Sequence, residues 1–233
     1  KSILNSHTGT NTLAGAIFPK GVTTVTWTVK DSADNTTTCN FTVTVIDNEA
    51  PKITCVNNQT RSTDAGKCSY TVVGTEFNPT ATSDNCGVKS VTNNITGTST
   101  LAGAIFKKGV TNVIWTVRDT ANNSATCSLT VTVNDTENPK VTCVSSQSRS
   151  TDAGKCSYTT VGNEFNPTSA TDNCGIKSIT NNINSSSTLA GAIFSKGTTS
   201  VTWTVIDSAN NQSTCTFNVT VTDTENPKIT CVG

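Results

Sequence analysis

The sequence repeats itself with a period of 88 residues, and that period limits what the chain can fold into. Trp27, Trp115 and Trp203 mark it. Each sits in a segment that alternates apolar and polar residues, as Val113, Trp115 and Val117 alternate with Asn112, Ile114, Thr116 and Arg118. A second alternating segment, with Leu129, Val131 and Val133 on one side, follows Asp119-Thr120-Ala121-Asn122-Asn123-Ser124, residues that tolerate tight turns. Period two on both sides of a turn predicts a hairpin buried on one face. The same hairpin recurs at 18–47 and 194–223. Residues 48–135 and 136–223 are whole repeats, 1–47 match the second half of one, and 224–233 begin another, the pattern of a window from a longer array. The whole repeats agree at about 70 % of positions, so they should share one fold and one core.

Composition narrows the function. Charge is sparse and balanced to zero, Thr, Ser and Asn abound and Met is absent, which suits a β-rich extracellular protein better than a cytosolic enzyme. Zero net charge gives no reason to expect nucleic acid as a partner, and no apolar run approaches the roughly 20 residues that span a bilayer. The one histidine, His7, stands where the other repeats have Ile95 and Ile183, so no catalytic triad or base recurs and an enzyme is not expected.

Each whole repeat carries four cysteines: Cys55, Cys68, Cys86 and Cys127, then Cys143, Cys156, Cys174 and Cys215. The absence of a Cys-x-x-Cys pair and of a repeating histidine argues against zinc, so two disulfides per domain in an oxidising compartment are expected. Cys55 lies in the first strand and Cys127 opens the last. If those strands run parallel at the sheet edge, the two sulfurs lie at the same end, which leaves Cys68 for Cys86 and, in the next repeat, Cys143 with Cys215 and Cys156 with Cys174. Pairing across each junction, Cys39 with Cys55 and Cys127 with Cys143, fails on reach, because Asn40–Ile46 runs away for about 23 Å at roughly 3.3 Å per residue. Cys39 and Cys231 should then find their partners outside the window.

The repeat reads as six or seven short strands. The first is Lys52–Val56, a polar stretch follows over 57–66, then a strand over 67–73, a loop over 74–87 and a central strand over 88–95. The run Leu101–Phe106 fits either a strand or a helical turn. No segment has a sustained helical period, so the prediction is all-β, with tandem antiparallel β-sandwich domains.

In order, Ala-Gly-Lys-Cys at 65–68, Asp-Asn-Cys at 84–86, Phe-x-Lys-Gly-x-Thr-x-Val-x-Trp-Thr-Val-x-Asp at 106–119 and Thr-Cys-x-x-x-Val-Thr-Val-x-Asp at 126–135 resemble the HYR, or hyalin-repeat, family over the entire chain. The resemblance implies an immunoglobulin-like fold in tandem arrays on extracellular adhesion proteins. More loosely, the chain is similar to gliding adhesins of the Bacteroidota. On that basis its function is expected to be a stalk or filament segment of a cell-surface adhesin, projecting a distal tip and bearing load. Carbohydrate- or protein-binding repeats, or ancillary domains of a secreted enzyme, are the alternatives. Neighbouring repeats, and other filaments or surface glycans, are the expected partners.

Two kinds of site stand out. The junctions Asp47-Asn48-Glu49-Ala50-Pro51 and Asp135-Thr136-Glu137-Asn138-Pro139 look like the calcium-binding linkers of cadherin-type arrays. In an immunoglobulin-like domain Asp84 and Asp119 would lie near Asp47 and Glu49, and Asp172 and Asp207 near Asp135 and Glu137, giving oxygen ligands for calcium. Equally, Asp84 and Asp119 could fix turns through hydrogen bonds to the backbone while the linker acids are solvated. Ser32, Thr120 and Ser208, each between Asp and Ala, are similar to the acceptor pattern for O-linked glycans in the Bacteroidota, or are small residues suited to that turn. The three tryptophans, on the apolar side of their strands, are expected in the core rather than on a sugar-stacking surface.

Overall fold

The computed structural model describes residues 1–231, and among them every regular element is a strand. The first half-repeat supplies β1 (Ser2–Asn5), β2 (Gly21–Lys30) and β3 (Thr36–Val45). The middle repeat supplies β4 (Lys52–Thr54), β5 (Gln59–Ser62), β6 (Ser69–Thr71), β7 (Ala81–Ser83), β8 (Val88–Asn93), β9 (Ile105–Lys107), β10 (Gly109–Asp119) and β11 (Ser124–Asn134). The last supplies β12 (Lys140–Thr142), β13 (Gln147–Ser150), β14 (Ser157–Thr159), β15 (Ser169–Thr171), β16 (Ile176–Asn181), β17 (Ile193–Ser195), β18 (Gly197–Asp207) and β19 (Gln212–Thr222).

Packing divides the chain into two compact units whose borders cut through the middle repeat. Unit 1 contains Lys1–Asn57, Gly74–Ala102 and Asn112–Leu129, and unit 2 contains Asn58–Val73, Gly103–Thr111 and Thr130 onward.

Unit 2 shows the whole repeat. Its main sheet has the order β13-β19-β18-β16, with β14-β17 and β12-β15 as smaller pairs, an immunoglobulin-like sandwich. The long hairpin β18–β19 pairs antiparallel from Gly197 with Val221 to Ile206 with Gln212, and β13 adds parallel to β19. Period-two alternation sends Val201, Trp203 and Val205 inward from one strand and Phe217, Val219 and Val221 from the other. They close on Phe165, Leu189 and Phe194, all essentially buried. The Trp203 indole donates to the Phe165 carbonyl at 3.0 Å, which meets its polar need inside the core. In unit 1 Trp115 is equally buried and donates to the Phe77 carbonyl at 3.1 Å, while Trp27 is only half-buried.

Three readings of the strands change. The polar stretch after Cys55 contains β5, held by parallel backbone pairing to β11 rather than by apolar burial. The strand read as central, β8, lies at the sheet edge in the order β5-β11-β10-β8. Leu101–Phe106 resolves into a turn followed by β9.

The cysteines divide differently from expectation. Cys55 bonds Cys127 and Cys143 bonds Cys215, the partners their strand ends suggested. The second pair expected within each repeat does not form: Cys68 bonds Cys174 of the following repeat, and Cys86 and Cys156 are unpaired. The reason is distance along a strand. The Cys156 carbonyl accepts from Lys196 N just before β18, whereas the Cys174 carbonyl accepts from the Ser208 hydroxyl just after it. Eleven residues at roughly 3.3 Å each therefore separate the two cysteines of one repeat. Each whole repeat thus has one internal disulfide, and one staple ties the two together.

Candidate functional site

The linker Asp135-Thr136-Glu137 follows β11 and is fixed from the β18–β19 turn. Asn211 holds it, its side-chain amide donating to the carbonyls of Asp135 (3.1 Å) and Glu137 (3.2 Å) and to Asp207 Oδ2 (2.8 Å). Asp207 in turn shapes that turn, Oδ1 accepting from the amides of Ala209 (2.7 Å) and Asn211 (2.8 Å). Asp172 Oδ2 accepts from Cys174 N at 2.7 Å, and Asp135 Oδ1 accepts from Asn173 Nδ2 at 3.2 Å. Asp172 and Asp207 thus fix turns, as one reading held for Asp84 and Asp119, but the linker acid Asp135 is buried rather than solvated, and the three converge: one oxygen each from Asp135, Asp172 and Asp207 lies within 4.8 Å of the others.

The remaining oxygens are the informative ones. Asp135 Oδ2, Asp172 Oδ1 and Asn173 Oδ1 are buried and have no hydrogen-bond partner. Lys108 Nζ stands 3.9 Å from Asp135 Oδ2, too far for a hydrogen bond, and donates to Ser208 Oγ at 2.7 Å. Three carboxylates and one ammonium leave this largely buried cluster a net charge of −2, which matches a divalent cation. Unit 1 repeats the arrangement. Asp47, Asp84 and Asp119 converge, Asp47 Oδ2 and Asp84 Oδ1 are orphaned, and Lys20 stands 3.5 Å from Asp47.

Of the other candidates, Glu137 turns to Gly66, whose amide donates to Oε2 at 2.8 Å, and Glu49 is exposed. The Thr120 and Ser208 hydroxyls are engaged by the carbonyls of Cys86 and Cys174 and by Lys20 and Lys108, whereas Ser32 is exposed. Sequence reasoning missed Asn123 and Asn211, which bind the linker carbonyls. It also missed Asn93 and Asn181, buried residues that organise the following loop, as Asn93 does by accepting from Ile95 and Thr96 and donating to the Thr98 carbonyl. The signal was present: asparagine stands at 5, 93 and 181 ahead of loops that otherwise vary.

Burial pushes the Asp207 carboxyl up, but hydrogen bonds from Asn211 and Ala209 and the Lys108 charge outweigh it and hold the group below the ordinary aspartate range. Asp119 is depressed in the same way by Asn123, Ala121 and Lys20. A carboxyl depressed in the folded state contributes stability that is complete above its unfolded value of about 3.9 and is lost as pH falls through the folded one. In chelator, stability should therefore be flat from neutrality to about pH 5 and fall below about pH 4. Asp207→Asn should flatten that acid limb in urea titrations at stepped pH; an unchanged limb would assign it elsewhere.

The HYR domain model matches residues 3–45, 46–133 and 134–221. Among curated relatives, hyalin of Strongylocentrotus purpuratus is 34 % identical over 227 residues, 94 % of this chain and 18 % of that protein. Hyalin of Lytechinus variegatus is 33 % identical over 94 % of this chain and 40 % of its own length. The serine-rich adhesin for platelets of Staphylococcus aureus is 32 % identical over 76 % of this chain and 8 % of that protein. This chain therefore spans less than half of each. Among solved structures, fibronectin(III)-like modules of Clostridium thermocellum CbhA cover 77 % of this chain at 12 % identity, with a TM-score of 0.32.

Proposed function

Because this chain belongs to the HYR domain family, we propose that it serves as a load-bearing spacer in an extracellular adhesion protein, its repeats adding length while chemistry resides elsewhere. The relatives it matches carry adhesin or hyalin names and no enzymatic ones, and three disulfides fit an oxidising compartment outside the cytosol. No helix among the described residues is long and apolar enough to cross a membrane.

The observation that carries the reading is the course of the covalent path. From Lys1 it runs to Cys55, crosses to Cys127, continues to Cys143 and crosses to Cys215. The closed loops 55–127 and 143–215 enclose β10 and β18, while most of β11 and β19 lies on the loaded path, so tension applied end to end is carried by fewer than half of the residues, and unravelling stops at the disulfides. Pulling the chain from its termini tests this. Oxidised protein should extend less than half as far as reduced protein, at about 3.5 Å per released residue. Equal extension in the two states would remove the load-bearing role.

The orphaned oxygens favour a further element of the same reading, a calcium ion at Asp135, Asp172, Asp207 and Asn173, and another at Asp47, Asp84 and Asp119. Hard oxygen ligands with two charges uncompensated suit calcium better than a transition metal. Millimolar calcium should raise thermal stability by an amount that grows with the logarithm of its concentration, about 2.7 kcal/mol at a hundredfold excess over the dissociation constant. Asp172→Asn should abolish the part due to the second site. No shift in the unsubstituted protein would refute the ion.

A further inference from the structure

In unit 2 the segment 59–68 touches both halves of the cluster formed by Asp135, Asp172 and Asp207. On the linker side its first four residues pair with 131–134, and Thr63 N donates at 2.9 Å to the carbonyl of Asn134, the residue before Asp135. Gly66 N then donates to Glu137 at 2.8 Å. On the loop side the Lys67 carbonyl accepts from Asn173 Nδ2 at 2.8 Å, and Cys68 bonds Cys174. One segment thus fixes where Asp135 stands relative to Asp172 and Asn173.

The orientation of Asn173 depends on the same contacts. Its Nδ2 meets two acceptors, the Lys67 carbonyl and, at 3.2 Å, Asp135 Oδ1, and its own Oδ1 is left buried without a partner. Asp135, whose side chain is 0 % exposed, likewise keeps an orphaned Oδ2. Asp172 is held differently, because its Oδ2 accepts from Cys174 N at 2.7 Å, a bond internal to the loop. The loop therefore keeps its local turn without the disulfide. What the disulfide secures is the placement of that turn against the linker.

Taking the calcium reading of the cluster as the premise, we infer that the Cys68–Cys174 staple and the ion site are coupled: the closed staple tightens calcium binding, and bound calcium protects the staple from reduction. Calcium draws oxygens from the linker and from the loop into one shell at about 2.3–2.6 Å. With the staple open, binding must also order the loop against the linker, which opposes it. Conversely, an ion bridging the two holds the cysteines near each other and favours the closed bond. Oxidised and reduced, loaded and empty, the four states form a closed cycle, so the two effects are equal as factors. The redox step is thiol–disulfide exchange with glutathione. Two glutathione thiols become one glutathione disulfide, and Cys68 and Cys174 take up the two electrons and two protons.

The test uses the full chain, with the exposed thiols of Cys39, Cys86, Cys156 and Cys231 alkylated beforehand so that they cannot exchange. The chain is equilibrated in glutathione buffers with calcium or with chelator, and opening at Cys68 and Cys174 is read by a second alkylation and mass spectrometry. Saturating calcium should lower the equilibrium constant for opening this bond about tenfold, and Asp172→Asn should remove that protection. Calorimetric titration in an Asp84→Asn background, which silences the cluster of unit 1, should show the Cys68→Ala/Cys174→Ala variant binding calcium about tenfold more weakly than the stapled chain. If the double variant does not fold, the glutathione equilibrium of the unsubstituted chain decides. Calcium that binds the stapled chain yet leaves that equilibrium unchanged would overturn the coupling alone, as would equal affinity with and without the staple, the result expected if the disulfide serves only the fold. No calcium binding to the stapled chain would overturn the ion and the coupling together.

Discussion

Replacing Cys143 and Cys215 together with alanine is expected to lower the stability of the last repeat by about 2–4 kcal/mol. The bond closes a loop across 72 residues, and both half-cystines pack against the buried cluster around Trp203, which Cys215 faces across the hairpin. Cutting it therefore frees the unfolded chain and also loosens the core. The staple Cys68–Cys174 closes a longer loop, across 106 residues, yet loop length separates the two by only about 0.3 kcal/mol in the chain-entropy model. Packing should decide, and neither half-cystine of the staple is among the residues packed on that cluster. The Cys143/Cys215 variant should thus lose more than a Cys68→Ala/Cys174→Ala variant in urea unfolding followed by circular dichroism. Hydrogen exchange should show the staple variant opening chiefly around Gly66–Tyr70. A loss below about 1 kcal/mol for Cys143/Cys215, or the reverse order, would mean that the internal bond merely decorates a core stable without it.

The parts of this architecture that the sequence discloses are those where one physical pattern dominates. The hairpins are legible because a buried face against a polar one imposes strict alternation, and because Asp119 to Asn123 is turn chemistry. The convergence of Asp84 and Asp119 on Asp47 follows once the hairpin turn and the linker are placed at one end. β5 is not legible, since Gln59, Thr60, Arg61 and Ser62 show no apolar side and are ordered by parallel backbone bonds. The staple is hidden for another reason. Cys86 and Cys174 sit in the same Asp-Asn-Cys-Gly sequence, so nothing local tells Cys68 which of the two it meets. What separates them is the length of β10 and β18, which holds the two loops of a repeat at opposite ends of an 11-residue strand. Glu137 goes astray similarly: spacing puts it beside the acids, but the Gly66 amide, brought in by the stapled loop, offers it a hydrogen bond.

Trp203→Ala should be the most damaging single substitution in the last repeat, at about 3–5 kcal/mol. The indole is fully buried, touched by the side chains of both strands of the hairpin and by Phe165, so its removal opens a cavity that rigid strands cannot close. It also strands the Phe165 carbonyl, whose bond to Nε1 lies inside the core, and an unsatisfied buried acceptor adds about 1–3 kcal/mol. Trp203→Phe separates the two effects, because it restores most of the apolar volume and leaves the carbonyl unmet; it should cost about 1–3 kcal/mol. Trp27→Ala is the internal control, since Trp27 is only half-buried and its loss should be smaller. Urea unfolding by circular dichroism reads all three. If Trp203→Phe proved as harmful as Trp203→Ala, the hydrogen bond would outrank the packing. If Trp27→Ala matched Trp203→Ala, burial would not be what makes this tryptophan central to the repeat.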